Sequence, residues 1–514
     1  MNRDLESALH YHGRTKHSYQ SLRANPHYLD WSNRPLPFKI YTTLEPISLP
    51  RDLPPSQVSA LQAIATSDAA PDGECVPNLT TLAHLLYFSA GITKRKMYDR
   101  GQILFRAASC TGALYHIDLY LICGDLPGLE AGVYHFGVHD FALRRLRQGD
   151  FRGELVCATS GEPAIAAAPV VIACASSYWR NAWKYQARTY RHCFWDNGTI
   201  LANLLAVSAA QDIPARLVVG FVDAMLSRLL GLDDEREGAL SLVTLGHTSS
   251  PPPRPPAEIE PLTLETAPLS PREVDYPAIR VMHGASSLRS EEEVTAWRGP
   301  TPPSSLPDSS GRVFALASPE QDEPLSDSIE QVVLRRGSTR EFAVQPITFA
   351  QLSTILRTAT RGVPADFLDP VGATLNELYL IVHAVGGLPR GAYVFHRDRE
   401  ALELLKEGEF RSEAGYLGLE QALPAAASVD VFLLADLKPI LERFGSRGYR
   451  ASQLEAGIIG GKLYLAAYAQ RLGASGLTFY DDAVTEFFSP HAKGKSVMFL
   501  VALGKSARRK HNVS

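Results

Sequence analysis

Residues 334–342 read Leu-Arg-Arg-Gly-Ser-Thr-Arg-Glu-Phe. Arg335, Arg336 and Arg340 set three guanidinium groups beside the hydroxyls of Ser338 and Thr339, just after an acidic segment that reads as a helix. A guanidinium fork donates two parallel, charge-assisted hydrogen bonds, so this run has the chemistry of a seat for a phosphate or another anion. A solvated basic turn would have the same composition, and the rest of the chain must decide between them.

Other constellations are poorer. His10, His12 and His17 lack a cysteine or carboxylate at ligand spacing, so no metal site is expected. Residues 457–462 end in a lysine but carry no Ser or Thr after it, and they lie in a helical pattern where small residues allow close helix contact. His116 and Asp118, and Trp179 with Trp183, suit a pocket wall or ordinary packing equally. No GxGxxG, HExxH or GxSxG occurs, which removes the motif support for a dinucleotide fold, a zinc protease or a serine hydrolase.

At 514 residues the chain is too long for one ordinary core. With 45% hydrophobic and 21% charged residues it has a globular composition. A net charge of −4 gives no general attraction to nucleic acid or to acidic membranes. The six cysteines lie in the first half without CxxC spacing, and no signal peptide opens the chain, so free thiols in a reducing cytoplasm are expected. The longest apolar runs are interrupted by Asn203 and Lys462 and fall short of the roughly 20 residues that span a bilayer.

The chain divides by composition into an aromatic, proline-bearing arm (1–50), a mixed α and β stretch (51–248), a Pro/Ser-rich linker (249–325) and a second mixed stretch (326–514). In the first stretch, residues 79–89 have helical spacing, 114–123, 132–136, 169–175 and 239–246 read as strands, and 196–210 read as a long apolar helix. The second stretch repeats the first. Leu119-Tyr120-Leu121-Ile122 recurs at 378–381, Gly132 at Gly391, Arg188 at Arg447 and Ala210 at Ala469, each 259 positions on (378 − 119 = 259). A constant offset marks a duplication, and two copies of one domain predict a pseudo-symmetric pair like a homodimer fused into one chain.

The Arg-Arg-x-Ser-x-Arg run, the string 106–115 before a strand, the turn Ala474-Ser475-Gly476-Leu477 and the basic tail Arg508-Arg509 together resemble the FMN-dependent nitroreductase superfamily. More closely, the chain is similar to the SagB/ThcOx-type dehydrogenases with tandem domains. That resemblance implies an α+β fold, a mainly antiparallel sheet flanked by helices in each half, with FMN between the domains. It also implies a small-molecule or peptide-derived substrate in natural-product biosynthesis, and no nucleic-acid or membrane partner. Whether two chains pair further is left open.

By the same resemblance, Arg335, Arg336, Ser338, Arg340, Arg508 and Arg509 hold the phosphate, 474–477 back the ring, and Ser109, Cys110, Thr111 and Gly112 form the opposing loop. Lys184 and Tyr185 occupy the family's catalytic pair. In the second half they become Arg443 and Phe444, while the first half lacks the arginine run, so one FMN per chain is expected, with a second seated by Arg14 and Lys16 of the arm as the alternative. A base at Lys184 or Tyr185 requires a pKa drawn down from about 10 toward neutrality. An NAD(P)H-dependent nitro- or quinone reductase and a flavin-free binding protein are the alternative functions.

Overall fold

The computed structural model describes residues 2–24, 26–66, 73–98, 101–303, 306–307, 309–318 and 327–507. Each half is built on a seven-stranded sheet. In the first, the strands run in the spatial order Pro46–Ser48, Ala142–Gln148, Gly132–Gly137, Ile117–Cys123, Val170–Ser177, Glu237–Leu245, Ala215–Val218. In the second, the same order is taken by Arg312–Ala315, Ala401–Glu407, Gly391–His396, Glu377–Val382, Val429–Ala435, Ser496–Gly504 and Gly473–Leu477. All pairings in both sheets are antiparallel. The central strands are buried on both faces, which is why 170–175 and 431–435 read as unbroken apolar runs rather than as alternations.

Compositional boundaries and structural ones differ at the sheet edges. Residues 46–48 of the arm and 312–315 of the linker each add an edge strand to a domain sheet. The arm also carries a helix, Leu5–Arg14, started by Asp4, whose carboxylate accepts from the Ser7 amide. It buries Ala8, Tyr11 and His12 against the body, with Tyr11 edge-on to both Tyr190 and Tyr449. In the linker, the helices Pro277–Ala285 and Glu291–Trp297 bury Ile279, Met282, Val294 and Trp297. Scattered apolar residues in these proline-rich segments thus serve as anchors, not as cores of their own.

Two long helices, Thr189–Ala210 and Arg447–Ala469, form the centre of the molecule and are buried almost throughout. They cross where Gly198 meets Gly457: a methyl on Gly198 would come within 2.6 Å of the Gly457 carbonyl carbon, and one on Gly457 within 2.7 Å of the Trp195 carbonyl oxygen. Only glycine lets the backbones approach so closely. The two glycines are themselves 259 positions apart (457 − 198), which puts the crossing on the pseudo-two-fold axis.

Ion pairs repeat across the same axis. Arg188 and Arg191 of the first half bind Asp481 of the second at 3.0 and 2.6 Å, while Arg447 and Arg450 of the second bind Asp223 of the first, both at 2.6 Å. All six side chains are buried, and the charges are compensated within each cluster by extra hydrogen bonds to backbone carbonyls.

Candidate functional site

A cavity of about 930 Å³ opens between the two halves. The first half contributes the hairpin of Ile92–Tyr98 and Gly101–Arg106, the loop 108–115, and Lys184, Tyr185, His192, Trp195, Asp196 and Thr199; the second contributes 336–341, Tyr464, Tyr468, 476–478 and Phe499.

The arginine run does not converge on one point. Arg335 is the last residue of the helix Ile329–Arg335, and it turns away from the cavity to Asp327 at 2.8 Å and the Tyr468 carbonyl. Arg336, with extended backbone, points the other way and crosses to the first half, donating to the carbonyls of Ala107 at 2.8 Å and Arg106 at 3.1 Å. Lys94 returns the contact, donating to the Arg336 carbonyl at 2.6 Å. Ser338 Oγ lies 3.3 Å from the Tyr464 hydroxyl. Arg340 is exposed, and the groups it acts on are Lys184 and Tyr185. Thus Arg336 and Arg340 serve different parts of the cavity, and Arg335 serves neither.

Of the turn 474–477, Gly476 and Leu477 line the cavity, with the Gly476 amide donating to Tyr464; Ala474 and Ser475 are buried in the strand Gly473–Leu477 outside the lining. Arg508 and Arg509 lie outside the described residues.

The opposing loop is held by a residue that motif reading passes over. Asp196 accepts from the Thr111 amide and hydroxyl at 2.8 Å each, from Cys110 Sγ at 3.1 Å, and pairs with His116 Nε2 at 2.9 Å. His116 is fixed in turn by Ser176. These donor atoms lie within metal-ligand reach of one another, but each is already committed to a hydrogen bond inside the network. The clamp holds a strained turn: Gly112, Ala113 and Tyr115 have φ of 64°, 54° and 50°. At Gly112 a methyl would also stand 2.9 Å from the Tyr185 hydroxyl. The signal was in the sequence, because the second half keeps an acid at the matching position: Glu455 accepts from Thr374 Oγ1, the Leu375 amide and Asn376 Nδ2.

Lys184 and Tyr185 both reach the cavity, with opposite proton affinities. Burial, with Arg340 and Arg34 nearby, lowers the pKa of Lys184. Burial, then Asp196 and Cys110, raise that of Tyr185, and Arg340 only partly opposes them. Of the two candidate bases, Tyr185 does not meet the requirement of a lowered pKa: burial and the Asp196 carboxylate outweigh Arg340, and the phenol stays protonated. The Lys184 ammonium stands 5.2 Å from the Tyr185 ring centroid.

The cavity is basic. Lys94, Lys96, Arg106, Lys184, Arg336 and Arg340 line it against Asp196 and Glu341, and among the described residues none of the six cations has a carboxylate within 4 Å.

The matching place on the other side of the axis is closed. Leu217 stands 259 positions before Gly476, and its backbone is paired with residues 364–366: the Leu217 amide donates to the Pro364 carbonyl and the Asp366 amide to the Leu217 carbonyl. The Asp366 carboxylate accepts from the amides of Val219 and Gly220 at 2.9 and 2.8 Å. Ala365, Phe367 and Leu368 are buried there, and Lys462 Nζ donates to the Gly362 carbonyl at 2.8 Å.

Residues 333–505 match the model of the nitroreductase family. The crystal structure of a nitroreductase-like protein from Anabaena variabilis superposes over 98% of this chain and 99% of its own, with a TM-score of 0.76 and 25% identity. A nitroreductase-like protein of Methanocaldococcus jannaschii is 29% identical over 165 residues, 31% of this chain and 82% of the relative. The trifolitoxin-processing protein TfxB of Rhizobium leguminosarum bv. trifolii is 28% identical over 170 residues, 32% of this chain and 46% of its own length. Two nitroreductase folds in one polypeptide are the class that this architecture defines. Residues 333–505 form a nitroreductase-family domain, the whole chain shares the fold of the Anabaena variabilis protein, and both likenesses support an oxidoreductase. All six cysteines are free, and no helix among the described residues is long and apolar enough to cross a membrane.

Proposed function

We propose that the chain is an FMN-dependent dehydrogenase of the SagB/ThcOx type, carrying one FMN in the cavity between its halves. The observation that carries this reading is the joint lining. Arg336 and Ser338 come from one half and the loop 109–112 from the other, and Arg336 is locked to the backbone of the strand that leads into that loop. The volume suits a cofactor together with a small substrate. Six cations that have no acid partner among the described residues suit a phosphate that carries nearly two negative charges.

Bound FMN would supply hydride exchange with the substrate. Arg336 and Ser338 would hold its phosphate, helped by Arg508 and Arg509, and Arg340 with Gly476 and Leu477 would border its ring. Lys184 Nζ is the group that takes up or returns a proton, its pKa being drawn down by burial and by Arg340 and Arg34. Tyr185 keeps its proton and donates a hydrogen bond from its hydroxyl. The likeness to a trifolitoxin-processing protein supports a peptide-derived substrate in natural-product biosynthesis. The closed counterpart cavity supports a single cofactor per chain.

Reconstitution with FMN, followed by spectroscopic measurement of flavin per chain, tests the reading. A ratio of one supports it, and a colourless protein that takes up no flavin ends it. Anaerobic mixing with NADPH then distinguishes the chemistry, because rapid bleaching of the flavin indicates a nicotinamide-driven reductase instead.

A further inference from the structure

We infer that the substrate of this site carries an anionic group, a carboxylate or a phosphate, which is bound at the Lys184 end of the cavity by Lys184, Arg340 and Arg34. The inference rests on the FMN reading above and adds a chemical class for the second occupant.

Charge balance leads to it. Six lysines and arginines face two carboxylates in the lining, an excess of four positive charges (6 − 2). Asp196 is saturated by its own network and cannot reach out to the others. An FMN phosphate would remove about two of the four. The remainder is not spread evenly. Arg336 and Lys94 are tied to backbone carbonyls where the two halves meet, while Arg340 and Lys184 have no such bonds among the described residues.

A third cation is brought to the same place by the arm. His27 Nε2 meets the Trp183 carbonyl at 2.9 Å, Trp183 Nε1 donates to the Asp30 carbonyl at 2.9 Å, and the Trp31 ring packs edge-on against Trp183 at 5.3 Å. These contacts hold the following turn, and with it Arg34, beside the helix Tyr178–Tyr185 that carries Lys184. Three segments, one from the arm and one from each half, therefore bring like charges near Lys184, with Arg340 in the cavity lining and Arg34 outside it. Their mutual repulsion costs stability in the empty cavity and is relieved when an anion enters.

The test uses the FMN-reconstituted chain and three flat probes of similar size: benzoate, phenyl phosphate and benzamide. Binding is read from the perturbation of flavin absorbance, which registers only a probe lying against the ring. Benzoate or phenyl phosphate is expected to bind about tenfold more tightly than benzamide, with the preference weakening as salt rises. Lys184→Met and Arg34→Gln should each shrink that preference while leaving flavin per chain unchanged. Equal binding of benzamide and both anions, or a preference that survives both substitutions, overturns the inference and leaves the FMN reading intact. A chain that takes up no FMN overturns both.

Discussion

Arg191 and Asp481 meet at 2.6 Å across the boundary between the halves, and neither side chain has appreciable contact with solvent. Burial alone would raise the pKa of Asp481, but Arg188 and Arg191 outweigh it and hold the carboxyl well below its ordinary range. The same opposition holds Asp223 at about 2 beside Arg447 and Arg450. Depressed carboxylates add stability that is complete above their unfolded value and is lost as the pH falls through it toward the folded value. The native chain should therefore lose stability steeply below about pH 4, in the window set by the unfolded carboxylate.

Asp481→Asn tests the first pair. It leaves two buried guanidinium groups without a counter-charge, a change expected to cost about 3–5 kcal/mol. Chemical denaturation at neutral pH should show that loss, and the difference from wild type should shrink as the pH is lowered, where the native carboxylate is also neutralised. A difference that does not vary with pH would mean the pair contributes shape and not charge.

Lys184 should react as an unusually available amine. Competitive labelling with acetic anhydride across pH, read by mass spectrometry, should place its titration below that of exposed lysines in the same chain. Arg34→Gln removes one of the cations that depress it and should move that titration upward. No movement would place Arg34 outside the field at Lys184.

Asp196→Ala and Glu455→Ala form a matched pair. Each removes the acid that clamps its loop, and each should destabilise by about 1–3 kcal/mol through donors left unpaired in the interior. Only Asp196→Ala faces the open cavity, so only it should also weaken FMN retention. Equal loss of flavin in both would show a general loosening in place of a local one.

Lys462 is fully buried, and burial draws its pKa down to about 8, assisted by Arg397. Its unfolded form binds more protons between pH 8 and the ordinary lysine value, so its charge penalty is released as pH climbs through that window. Relative to Lys462→Met, the wild type should gain stability between pH 8 and pH 10. Urea midpoints measured at both ends of the range check the slope.

Much of the architecture was legible because duplication leaves a register that any two matching segments reveal. Leu119 against Leu378 fixed the offset, and the central helices followed from their lack of a polar face. The division of labour between Arg335, Arg336 and Arg340 was not legible. It depends on a helix ending at Arg335, after which the backbone is extended and adjacent side chains point apart. The sign of the Tyr185 shift was equally hidden, since Asp196 and Cys110 come to it from other segments. Residues 361–369 carry no motif at all; their role exists only where they meet the strand Ala215–Val218.

That closed counterpart has an evolutionary consequence. When two identical subunits associate, every substitution is made twice, once in each symmetry-related place, so neither can be sacrificed without the other. Joining the copies in a single polypeptide lifts that restriction. One half became free to turn its own backbone into filler while the other preserved an opening, and each could then specialise its remaining side chains for a single task.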